Sequence, residues 1–133
     1  MKEIANKIRS LEREIVAEKG ELTLFALFLR EDAPDKWDLL ASGPGLEENK
    51  KEALVYLVQK IRSHLDLKEF ITISRIVLLE KENPVLNAIQ RAVKVEHGLV
   101  EVKESVFFGL KIKHAYIFTS KRHKANSNSN KLV

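Results

Sequence analysis

Apolar residues open the chain with helical spacing. Ile4, Ile8, Leu11 and Ile15 stand four, three and four positions apart, and charged residues fill most of the gaps. That pattern predicts one amphipathic helix with a single apolar stripe, which Gly20 is placed to end. The period then changes. Leu24 to Leu29 is apolar at every position, the signature of a strand covered on both faces. Glu31 to Lys36 is a polar turn, and Trp37 to Ser42 alternates as the returning arm of a hairpin. Gly43-Pro44-Gly45 stops that strand. Glu47 and Glu48 suit the first turn of a second helix, running to about His64 with Leu54, Leu57, Val58, Ile61 and Leu65 on one side.

Phe70 to Glu80 is β-branched and mostly apolar, and reads as a third strand. Asn83-Pro84 is a helix start, with Asn as cap and Pro in the first turn. Val85, Leu86, Ile89, Ala92 and Val93 supply that helix's inner face. His97-Gly98 breaks the pattern. Leu99 to Lys103 and Val106 to Thr119 then predict two strands with a turn near Glu104-Ser105, and Gly109 marks a bulge or bend. Along the last strand the row Leu110, Ile112, His114, Tyr116, Phe118 is expected to face the core. The order is αββαβαββ without an internal repeat. It predicts an α+β fold: one mixed or mostly antiparallel sheet of about five strands with three helices.

Length and charge refine this picture. The 133 residues suit one domain, expected over residues 1–120. Residues 121–133 form a basic, Asn/Ser-rich segment that reads as a disordered tail. The chain has 23 basic and 19 acidic residues. Lys121, Arg122, Lys124 and Lys131 lie in the tail, which has no acid, so the rest of the chain holds 19 of each sign. The high isoelectric point, about 9.3, therefore describes the tail rather than the domain. Lys121, Arg122 and Lys124 are the candidates for weak, salt-sensitive nucleic-acid binding, with no aromatic beside them for base stacking. The chain contains no cysteine, which excludes disulfides, thiolate zinc sites and a cysteine nucleophile. No apolar run approaches the roughly 20 residues of a membrane span, and no signal-peptide pattern opens the chain. The expectation is a cytoplasmic protein without a membrane partner.

Three constellations bear on chemistry. Glu101-Val102-Lys103 on a strand puts Glu and Lys on one face. With Asp38 as a third member it would form the carboxylate pair and amine of a metal-dependent nuclease or phosphoesterase. Read plainly, it is a solvent-facing alternation on a half-buried strand. His97 follows Glu96 and precedes Gly98; a carboxylate neighbour suits a general base, and a polar corner explains the same residues. His114 lies in an otherwise apolar row, where a histidine is hydrogen-bonded inside or stands at a sheet edge. His97 and His114 together are the candidate metal ligands. No phosphate-binding or dinucleotide motif is present, and no cofactor is expected. The first helix also fits a short dimer seam, and a sheet covered on one face only would need a partner subunit. The leading expectation is a non-catalytic protein-interaction or regulatory module that self-associates, as a homodimer or other homo-oligomer, or binds a protein partner. The alternatives are the nuclease and the nucleic-acid-binding tail.

Overall fold

The computed structural model describes residues 1–122. Helix α1 (Lys2–Lys19) leads into strands β1 (Leu24–Arg30) and β2 (Trp37–Ser42). Helices α2 (Pro44–Glu47), α3 (Lys50–His64) and α4 (Leu67–Phe70) precede strand β3 (Ile73–Leu78). Helix α5 (Pro84–Ala92) and strands β4 (Val100–Phe107) and β5 (Leu110–Ser120) complete the described residues. One mixed sheet runs in the order β3-β2-β1-β5-β4. The β2–β3 pair is parallel and the other three pairs are antiparallel. The fold is α+β, with the three expected long helices and two additional single-turn helices.

Those short helices have local causes. The Asn49 side chain accepts the Glu52 N–H at 3.1 Å and so starts α3 afresh, dividing the single helix expected from Glu47. Asp66 and Glu69 form a capping box, each side chain accepting the other's backbone N–H at 2.8 and 3.0 Å. That box draws Phe70 into α4, and β3 begins only at Ile73.

The sheet has a core on each face. Ile8, Leu11 and Ile15 of α1, with Leu57 and Ile61 of α3, pack on Phe25, Leu27, Leu39 and Phe118. On the second face Leu86 and Ile89 of α5 pack on Leu24, Ala26, Phe28, Leu40, Ala115 and Ile117. This is why β1 is apolar at nearly every position. Each large side chain so enclosed contributes roughly 1.5–3 kcal/mol. The stripe of α1 is spent on its own sheet rather than on a dimer seam. The second face is likewise covered by the same chain.

The final hairpin departs from expectation. Its turn is Phe108-Gly109, with φ of 48° and 82°, the two left-handed positions of a type I′ turn. Glu104, expected in the turn, instead sits inside β4 with φ 50°, and the pairing register with β5 is the same on both sides of it. Across this point the side chains change faces. Lys103 lies opposite His114 and Glu101 opposite Tyr116, a residue of the first-face core. Beyond it, Phe107 and Ile112 belong to the second-face core, and Phe107 stacks on Phe28 with ring centroids 5.9 Å apart. The hairpin tip therefore curls over the second face beside α5. Leu110 and Ile112 accordingly leave the row expected of them, while Tyr116 and Phe118 keep to it.

Lys121 also belongs to the fold. Its N–H donates to the Thr23 carbonyl at 3.0 Å, and its carbonyl accepts from Gln90 Nε2 at 3.0 Å. The remainder of the expected tail, 123–133, including Lys124 and Lys131, lies outside the described residues. Among the described residues, no helix is long and apolar enough to cross a membrane.

Candidate functional site

The expected nuclease constellation does not assemble. Asp38 pairs with Phe28 of the second-face core, whereas Glu101 pairs with Tyr116 of the first-face core. Directly opposed residues on antiparallel strands share a face, so the two carboxylates lie on opposite sides of the sheet. Asp38 is instead clamped by arginines from both flanking strands. Arg30 Nε donates to it at 3.0 Å, and Arg75 donates through Nε and Nη2, each at 3.1 Å. Two guanidinium groups compensate one buried carboxylate, an arrangement suited to holding strands together. The carboxylate in turn stabilises the charged form of Arg75.

The two histidines expected as a metal pair are also apart. His97 contacts the end of β5: its backbone N–H donates to Thr119 Oγ1. His114 lies five residues earlier on the same strand, roughly 15 Å away at strand rise. Each has its own carboxylate. Among the described residues, no group of three His, Asp or Glu side chains converges as a metal site.

His97 meets a group that sequence spacing did not single out. Its Nδ1 lies 2.8 and 3.0 Å from the two oxygens of Glu12, which is fully buried under α1. Thr119 Oγ1 donates to the same carboxylate at 2.7 Å. A carboxylate only accepts, so the proton in the His97 contact sits on Nδ1. The Nε2 side faces Glu96 at 3.7 Å. Glu96 also pairs with Lys121, which has a second partner in Glu21 at 3.4 Å. The Lys121 amine is thus committed within the domain rather than offered to phosphates, while Arg122 is exposed. The signal for Glu12 is positional: it stands four residues after Ile8 and three before Ile15, inside the apolar stripe.

The third cluster lies on the first face beside the sheet edge. Glu101 accepts from His114 Nε2 at 2.6 Å, and Lys103 Nζ stands 3.9 Å from the same oxygen. The His114 contact is the leading cause that holds the Glu101 carboxyl below its usual range. The His114 ring packs between Trp37 and Tyr116, with centroids at 5.6 and 4.8 Å. His114 is therefore a hydrogen-bonded histidine on an interior strand, one strand in from the edge, with an aromatic floor.

Among the described residues β4 is a terminal strand of the sheet. Its free backbone groups can be assigned. Trp37 N–H donates to Thr72 and the Ala41 carbonyl accepts from Leu79, so the first-face residues of β2 point their amides toward β3. Amide direction and side-chain face alternate together along a strand. Carried across the regularly paired stretch of the sheet, this makes His114 and Tyr116 of β5 point toward β1 and Glu101 and Lys103 of β4 point outward. Glu101 and Lys103 thus present N–H and C=O at the open edge, where the Lys103 carbonyl accepts from Ser105 Oγ at 3.2 Å and keeps a second lone pair, while Val100 and Val102 bond to β5. Val106 and Phe108, 60% and 68% exposed, extend apolar surface toward the hairpin tip.

No family matches this chain, and the searches of curated proteins and of solved structures found no match.

Proposed function

We propose that this domain is a protein-interaction module that works without catalysis, pairing edge to edge with a second copy of itself through β4. The observation that carries this reading is the open edge at Glu101 and Lys103, where backbone groups that face no neighbouring strand are flanked by charged side chains of both signs. Such an edge is a template for strand addition. The other surfaces named by the sequence have internal uses: the α1 stripe and both sheet faces pack within the chain. Glu12 and Asp38, the buried carboxylates with chemical potential, are compensated by groups that hold elements together.

Sedimentation velocity across a concentration series tests the reading. The chain is expected to shift reversibly from monomer to dimer. Lys103→Pro removes one outward N–H while leaving the β5-facing bonds of Val100 and Val102, and is expected to sediment as monomer. Lys103→Ala keeps that N–H and retains measurable association. A wild-type chain that stays monomeric at its highest soluble concentration overturns the proposal.

A further inference from the structure

The register of edge pairing follows from the side chains of β4, and this step rests on the edge-pairing reading above. A two-fold axis perpendicular to the sheet keeps the two faces continuous between copies, so a residue must oppose one of the same face. Three registers are centred on the open segment. Centring on Glu101 sets Glu101 against its own copy, and centring on Lys103 sets Lys103 against its own copy. Like charges directly opposed on neighbouring strands are destabilising. Centring on Val102 sets Glu101 of each copy against Lys103 of the other, twice.

We propose that two copies associate in this third register, antiparallel about an axis through Val102. The outward amides make Glu101 and the facing Lys103 a hydrogen-bonded pair, so the segment contributes backbone bonds at both symmetry-related positions. The two copies of Val102 then meet as a non-hydrogen-bonded pair, with Cα atoms about 4.5 Å apart. A carboxylate has several acceptor positions, so Glu101 can keep His114 while accepting from Lys103 of the second copy. Lys103, Glu104 and the left-handed turn of the backbone at Glu104 disfavour unmatched strands, which makes the edge selective rather than generally adhesive. Strand β3, at the opposite edge, offers no such match: its one charged residue, Arg75, is committed to Asp38.

Charge exchange tests the register. Glu101→Lys turns both cross-strand pairs into Lys facing Lys, and Lys103→Glu turns both into Glu facing Glu. Each variant alone is expected to raise the dimer dissociation constant by about tenfold or more. Mixed in equal amounts, the two variants place opposite charges at every facing position and are expected to form a heterodimer at least as tight as wild type. Lys103→Glu leaves the Glu101–His114 contact in place, so it still reports if Glu101→Lys loosens β5. A second readout exploits the absence of cysteine in this chain. Val102→Cys should give a disulfide-linked dimer on mild oxidation, since a Cα separation of about 4.5 Å lies within bridging range. Val106→Cys should not. A dimer that ignores both charge variants and fails to cross-link through position 102 overturns the register while edge pairing stands. A dimer that survives Lys103→Pro, or no dimer at all, overturns both.

Discussion

His97 holds a left-handed backbone, with φ 53°, and its ring reaches a carboxylate that has no access to water. The conformation costs a non-glycine residue of order 1 kcal/mol or more. The return is compensation of Glu12, whose charge would otherwise be stranded under α1. His97→Ala is expected to destabilise the domain by about 3–5 kcal/mol, toward the lower figure because Thr119 still donates. Adding Glu12→Leu to that variant should recover much of the loss, because the buried charge goes with it. Urea unfolding of the two variants checks both statements. At Phe108 the sign is opposite. Phenylalanine is poorly suited to the first left-handed position of a type I′ turn, and its side chain is 68% exposed. Phe108→Asn creates the preferred Asn-Gly turn and is expected to raise the melting temperature. The preference against Phe in that position is also why sequence placed the turn at Glu104-Ser105: neither Phe108 nor Glu104 advertises a left-handed backbone.

Between elements, α1 and α3 are joined by polar contacts outside the core. Lys60 Nζ donates to Glu14 at 3.0 Å, and His64 and Tyr56 bond Glu14 and Glu18 respectively. The His64 contact leads in holding Glu14 below the ordinary carboxylate value of 4.5, and Tyr56 leads for Glu18. A pKa depressed by folding gives stabilisation that is present above the unfolded value and lost as pH falls through the folded one. Stability is therefore expected to decline as pH drops below about 4.5, and a Glu14→Gln, Glu18→Gln double variant should decline less steeply. Thermal unfolding at pH values on both sides of that point shows whether the slopes differ. The hairpin tip is held differently, by burial. Phe107 is 5% exposed against Phe28, so Phe107→Ala should cost about 3–5 kcal/mol. Its capture by the second face was not legible from alternation. The turn of the strand at Glu104 reverses which residues point inward.

For the whole molecule, the mixed sheet and its two helical layers explain how the described residues, 1–122, sustain cores on both faces. The proposed association through β4 would add strands to that sheet without opening either core. The ion pairs proposed between copies would lie at an exposed edge, so added salt is expected to weaken such a dimer measurably. Light scattering at low and high ionic strength would show this, and an association insensitive to salt would require an apolar contact instead.

Periodicity and turn chemistry in the sequence alone determined the order of the long elements, the doubly covered β1 and the capped start of α5 at Asn83, because these depend on near neighbours in the chain; they left open whether the single sheet is mixed or mostly antiparallel. Tertiary structure decided which charges are alone and which are compensated. Glu12 and His97 are 85 residues apart in sequence and in hydrogen-bond contact in space. Asp38 and Glu101 share a plausible motif and stand on opposite faces. Strand order and the turn at Glu104 set those relations, and both arise only when distant segments pack together.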